Sequence, residues 1–274
     1  MNNAVREIEV KSLPALLEAA IDELPQEEPL WFRGVSNQSY ELKPKVYRNL
    51  VVGDGRDFLT RTEEEMLLRF RQKAMPYLPA LHAGFSNASL LVHMQHYGAP
   101  TRLLDWTENL LVAAFFSIDS ARRDPNKVPA VWALRPAEWN RKASTDFENE
   151  QIPVFDSPAL RPDQSPLIGW LPLDKENRSS FGKKELALAV YATHSNDRIR
   201  AQQGVFTVAG TDMRGLEIQA TELKNVQDPV LYKFSFVSGA ERLNYELSQI
   251  GYRKSLIYPG LESICLELEG EFGR

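Results

Sequence analysis

QHYGAPTRLLDWTENLLVAAFFS, residues 95–117, joins two helical patterns through a turn-rich middle. Upstream, Asn87 caps a helix that runs through Leu90, Leu91 and Met94 and is closed by Gly98, the residue type that best tolerates the backbone of a helix C-terminus. Downstream, Thr107 stands where its hydroxyl can cap a more apolar helix through Val112, Ala113, Phe116 and Ile118. The unbroken apolar run from Leu110 to Phe116 falls far short of the roughly 20 residues that a bilayer span needs. The pattern therefore predicts a helix buried in protein, not in lipid.

Moving outward, the period changes along the chain. Ser12 with Leu13, Leu16, Leu17, Ala20, Ile21 and Leu24 has helical spacing and a cap, and Pro25 and Pro29 end that helix. Leu30 to Val35 alternates as a strand does, with Leu30 and Phe32 on one face and Trp31, Arg33 and Val35 on the other. Thr62 and Glu65 make a capping box ahead of Met66, Leu67, Phe70 and Ala74. The second half reads as strands at 130–134, 185–192, 204–208, 230–237 and 254–258, with one helix over 240–250 burying Leu243, Leu247 and Ile250. Helices first and strands second, without regular alternation, predict an α+β fold in a single domain over 1–274. Between them, 136–182 is rich in Pro, Ser, Asp and Asn and reads as a long insertion or lid.

Composition narrows the function classes. Hydrophobic residues at 43% and charged residues at 25% are ordinary globular usage, so extended disorder is not expected. The N-terminus lacks the basic flank and apolar stretch of a signal peptide, which points to the cytoplasm. A net charge of −5 argues against a general electrostatic grip on nucleic acid, while leaving room for a local basic groove. The single cysteine, Cys265, cannot form an internal disulfide, and the ICLEL run suggests a small core side chain. Four histidines, His82, His93, His96 and His194, include one helical pair without a third ligand at matching spacing, so no metal site is expected. P-loop, dinucleotide-fold, zinc-protease and nucleophile-elbow motifs do not occur in the sequence.

Three stretches, PLWFRGVS at 29–36, QHYGAPTRLLDWTENLLVAAFFS at 95–117 and RIRAQQGVFTVAG at 198–210, together resemble the FRG family of bacterial and phage proteins, named for the tripeptide that is Phe32-Arg33-Gly34 here. A second likeness is to NAD-dependent ADP-ribosyltransferases of the Arg-Ser-Glu type. WFRG is similar to their first core strand, whose arginine grips NAD. Asp105-Trp106-Thr107 followed by ENLLVAAFF resembles their hydroxyl-ended strand and its helix, and QQGVFTV resembles their third motif with Gln202 and Gln203 near the place of the catalytic glutamate. This likeness implies a split mixed sheet with an N-terminal helical region and NAD as substrate. The residues implied for the chemistry are Arg33, Asp105, Thr107, Gln202 and Gln203, and those implied for the cofactor pocket are Arg33, Gly34, His96, Tyr97, Thr101, Arg102, Trp106 and Thr107. It implies a toxin or antiphage effector that transfers ADP-ribose to an unidentified acceptor or hydrolyses NAD.

The residue types have physical uses in such a site. An arginine fork on a fixed strand can hold phosphate or ribose bidentately. A hydroxyl at a helix start can orient a ribose, Trp106 or Tyr97 can stack on nicotinamide, and a carboxylate can stabilise an oxocarbenium-like state. Each position also has a plainer use: Arg33 in a core ion pair, Thr107 as a helix cap, Asp105 as a helix-dipole partner or a lock on Arg102, Trp106 in the core, Gly204 at a bulge, and His96 with Tyr97 closing a helix. Two other functions stay open at this point. One is a nucleotide-sensing module without turnover, which the glutamines favour, and the other is a nuclease or phosphoester enzyme using Arg33, His96 and Asp105.

Overall fold

The computed structural model describes residues 4–48, 59–74, 76–78, 85–121, 124, 126–147, 152–157, 166–172, 184–193, 197–237 and 239–273. Seven strands, β1 (Val5–Val10), β2 (Trp31–Val35), β3 (Leu103–Thr107), β4 (Ala130–Leu134), β5 (Leu188–Val190), β6 (Gly204–Val208) and β7 (Leu231–Phe236), form one mixed sheet in the order β1-β7-β4-β2-β3-β6-β5. β1 runs parallel to β7 and every other neighbouring pair is antiparallel. Helices among the described residues are α1 (Leu13–Glu23), α2 (Glu64–Ala74), α3 (Asn87–His96), α4 (Leu110–Ala121), α5 (Pro136–Ala143), α6 (Asp197–Ala201), α7 (Leu216–Glu222), α8 (Ala240–Gln249), α9 (Lys254–Ile257) and α10 (Leu261–Phe272).

The fold is thus α+β, as the sequence predicts, and none of the described helices is long and apolar enough to cross a membrane. One face of the sheet carries a continuous core in which Trp31, Trp106 and Trp132 pack with Trp139 of α5 and Leu216 of α7. The opposite face is divided. Over β1, β7, β4 and β2 lie α1, α4 and α8, with Leu16, Val112, Ile118 and Leu243 buried against Phe32 and Phe234. Over β3, β6 and β5 lie α2 and α3, with Leu67 and Leu91 buried against Leu103 and Phe206.

The division falls where the sheet is weakest. β2 and β3 share a single register pair, Phe32 with Thr107, whereas β2 and β4 share five from Trp31 with Leu134 to Val35 with Ala130. Beyond that pair the two strands part company, leaving a seam in the middle of the sheet. Helix α4 crosses one bank so closely that a Cβ on Gly34 would lie 1.9 Å from the Ala113 carbonyl oxygen and 2.6 Å from the Ser117 nitrogen. Only glycine fits there, and this helix contact explains the last letter of the WFRG segment.

Several sequence expectations give way to tertiary context. The segment expected as a strand at 254–258 is helix α9: Glu267 of α10 accepts hydrogen bonds from the Ser255 backbone and hydroxyl at 2.6 and 2.9 Å, fixing the first turn. β1 has no local signal, because half of VREIEV is charged without strict alternation, and it becomes a strand by pairing with β7. Ser86, not Asn87, caps α3, accepting from the Ser89 N–H at 3.1 Å. Helical turns from Leu59 run straight into α2, so Thr62 lies inside the helical segment and heads no capping box. The strand expected over 185–192 is confined to Leu188–Val190, and Ile250 lies just past α8 and is exposed. Cys265 is exposed on α10 and not a core side chain. The described parts of 136–182 are built into the core: Trp139 and Trp170 are fully buried and donate to the carbonyls of Ala187 and Leu186 at 2.8 and 2.9 Å.

Candidate functional site

The seam opens into a cleft of about 1230 Å3, walled by β2, β3, the end of α3, the loop that follows β2, and α6. Arg33 sits where the β2–β3 hydrogen bonds stop, and its side chain replaces them: Nη1 donates to the Asp105 carbonyl at 2.5 Å and stands 4.0 Å from the Asp105 carboxylate. The Asp105 side chain is 59% exposed, so this pair faces the cleft with room for a third party. Burial pushes the pKa of the Arg33 guanidinium down to about 10, Asp105 opposes that shift and nearby Arg48 adds to it. At neutral pH Arg33 remains charged, and it is only partly neutralised.

The Asp105 carboxylate is oriented from the other side. Gln95, on α3, donates its amide to Asp105 Oδ2 at 2.7 Å. Thr101 in turn donates its hydroxyl to Gln95 Oε1 and accepts from the Leu103 N–H at 3.1 Å, which fixes which way the amide points. Gln95, Thr101 and Asp105 all belong to the 95–117 stretch, and Arg33 joins them from the WFRG strand. His96 completes this wall; burial lowers its pKa, Arg198 and His93 lower it further, and Asp105 opposes them. Its imidazole is therefore neutral near pH 7.

The expected site residues fall into two groups. Arg33, Gly34, His96, Tyr97, Asp105 and Trp106 line the cleft, as do Thr107 and Gln202. Two of these have their polar groups spent on the fold: Thr107 donates to the Gln202 carbonyl at 2.6 Å and accepts from the Asn109 N–H at 3.0 Å, while Gln202 Nε2 donates to the Ile257 carbonyl at 3.1 Å. Thr107 ends a strand, and the first turn of α4 is capped by Asn109, which accepts from Leu111 and Val112 at 3.0 and 3.2 Å. Trp106 forms wall and not platform, since its indole is buried and donates to Thr207 Oγ1 at 3.2 Å.

Three expected residues stand outside the cleft lining. Arg102 is fully buried, donating to Glu63 Oε1 at 2.7 Å and to the carbonyls of Ala209 and Trp170 at 2.9 and 2.5 Å. It is a core residue, and Glu63, not Asp105, locks it. Thr101 is buried, and its hydroxyl serves Gln95 and the Leu103 N–H. Gln203 holds a left-handed backbone (φ 47°), and its carbonyl accepts from the Glu108 N–H at 3.1 Å. His93 is spent on packing: its Nδ1 meets the Ser89 carbonyl at 2.9 Å and its ring lies against Phe85. His82 and His194 lie outside the described residues, among which no cluster of metal-ligating side chains occurs.

Sequence reasoning missed Gln95 and the cations of the loop after β2, Lys43, Lys45 and Arg48, which also line the cleft. The signal was present in LKPKVYR, residues 42–48, with three cations and no acid. No curated protein and no solved structure matches the chain. A family model described as the FRG domain matches residues 28–126, which include both banks of the seam and the residues from Arg33 to Thr107 just described. The chain thus carries a segment that matches the FRG domain, and that segment supplies the Arg33–Asp105 pair at the centre of the cleft.

Proposed function

We propose that the cleft binds NAD and that the protein breaks the bond between nicotinamide and ribose, by ADP-ribosyl transfer or by hydrolysis, in the toxin or antiphage role that the family resemblance implies. The observation that carries this reading is a half-buried, incompletely neutralised arginine beside a carboxylate that is exposed to the cleft and held in orientation. Arg33 offers its fork to the dinucleotide's anionic diphosphate or ribose edge, a task that lysine performs poorly. Asp105 takes the part of the glutamate that Gln202 cannot play. As the C1′–N bond breaks, nicotinamide leaves with the electron pair, the carboxylate stabilises the positive charge on the ribose, and in hydrolysis the attacking water bonds to C1′ and passes its proton to Asp105.

Titration calorimetry with NAD, up to about millimolar concentration, tests binding, where a ligand of even weak affinity registers. Arg33→Lys is expected to reduce affinity at least tenfold, and Asp105→Asn to abolish nicotinamide release while keeping much of the affinity. Absence of NAD binding to the folded wild-type protein would end this reading. A second reading, nucleotide binding without turnover, is favoured by the commitment of the Gln202 side chain to the Ile257 carbonyl. Binding without nicotinamide release would select it.

A further inference from the structure

The mouth of the cleft is built differently from its centre. Among the residues lining the cleft, Arg33, Lys43, Lys45, Arg48 and Arg198 face only two carboxylates, Glu41 and Asp105, in a chain whose overall charge is −5. Asp105 is taken by Arg33, and Glu41 lies 3.9 Å from Lys43. The other three meet no carboxylate among the described residues: Lys45 donates to the Gly98 carbonyl at 2.7 Å, Arg48 donates through Nε to the Lys43 carbonyl at 3.1 Å, and Arg198 lies over the Tyr258 ring at 4.8 Å. Acidic side chains outnumber basic ones in this chain, 37 to 32, so leaving three such cations unmatched around one opening concentrates positive potential there. Two exposed tyrosines also line the cleft, Tyr40 at 45% with Lys127 Nζ 5.9 Å from the centre of its ring, and Tyr97 at 66% with an edge-on contact to His96. The volume of about 1230 Å3 also exceeds the roughly 300–1,000 Å3 of a typical small-molecule pocket.

We infer that the mouth of this cleft binds single-stranded nucleic acid, with Lys45, Arg48 and Arg198 on its phosphates and Tyr40 and Tyr97 as stacking faces for its bases. Cations that track a backbone, with flat aromatic rings between them, make up the general chemistry of sequence-tolerant single-strand binding. The overall charge of −5 disfavours loose association elsewhere on the molecule. The inference names the acceptor for the NAD reading and rests on that reading only for transfer. In transfer, the C1′–N bond to nicotinamide breaks with the electron pair leaving on nitrogen, a base N–H of the strand bonds through nitrogen to C1′, and its proton passes to Asp105.

Fluorescence anisotropy with a labelled twelve-nucleotide single strand at about 50 mM salt tests binding, with mixed-sequence DNA and RNA as two arms that identify the sugar preferred. Binding is expected to weaken at least tenfold in Lys45→Glu and in Arg198→Glu, and several-fold in Tyr40→Ala, with each variant's thermal unfolding compared with wild type to confirm that it is folded. Removing one cation from the phosphates is expected to reduce the log–log salt slope by about 0.7. No binding by the folded wild-type protein, equal binding of a duplex, or equal competition by an oligoglutamate of the same charge would each overturn the inference. NAD calorimetry on the same samples separates the two ideas: NAD binding without strand binding sinks this one alone, and strand binding without NAD binding sinks the other alone.

Discussion

Arg33 and Arg102 stand in the two diagnostic stretches of the chain, 69 positions apart, and each meets a carboxylate; one faces the cleft and the other is sealed in the core. Arg102 and Glu63 are 1% and 4% exposed, and the other two nitrogens of the guanidinium each donate to a carbonyl. Arg33 is 18% exposed, its carboxylate partner is 59% exposed, and the two stand at the limit of an ion pair. The difference lies in access: a charge sealed in the core with each of its nitrogens engaged has nothing to offer a ligand, whereas one whose charge is half matched beside open space can bind. Arginine in a motif is thus informative only once its partners are known.

The sharpest way to break this comparison is to truncate the core member. Arg102→Ala leaves the Glu63 carboxylate buried and alone, and is expected to cost about 3–5 kcal/mol of stability, read by urea unfolding. A loss below about 1 kcal/mol would show that water reaches this pair, and the two arginines would then be alike. Next in size, Arg33→Lys is expected to change stability by no more than about 1 kcal/mol, since the Asp105 carbonyl it serves borders the cleft and can turn to water. A large loss of stability there would make Arg33 a second structural arginine. The smallest effect concerns His96. Its pKa in the folded protein lies below its ordinary value of 6.5, so below that pH the unfolded chain binds the proton more readily and stability falls with acidification. His96→Gln is expected to flatten the stability curve between pH 7.5 and about pH 5, and an unchanged slope would assign that loss to other groups.

Much of this arrangement was legible in the sequence, and the unread part has a common cause. The WFRG strand, the apolar helix from Leu110 and the strand at 204–208 follow from local period, because each buries a face that its own residues define. Convergence of Arg33, Asp105, Thr107 and Gln202 on one cleft followed from motif likeness, but the state of each did not. Whether Thr107 is free or spent depends on the Gln202 carbonyl, 95 positions away. Arg102 reads like a cleft residue beside Asp105, yet alternation along β3 and the arrival of Glu63 send it into the core. Gln95 escaped notice because glutamine carries no charge, and its role exists only through Thr101 and Asp105. Two of the elements that the sequence did not reveal, β1 and α9, have a conformation set by a distant partner, β7 or Glu267.

The pairing of β1 with β7 also bears on the order of events while the chain is being made. Val5 lies opposite Leu231, 226 positions later, and the whole of the edge strand waits for that partner. At a synthesis rate of about 5–20 residues per second, Val5 is joined roughly 10–45 s before residue 231. Through that interval the FRG segment, with β2, β3 and the β4 that follows it, can assemble without β1, so the sheet is expected to grow outward from the seam. β1 is then among the last of these strands to dock, and the nascent sheet carries an unpaired edge open to chaperones until β7 emerges.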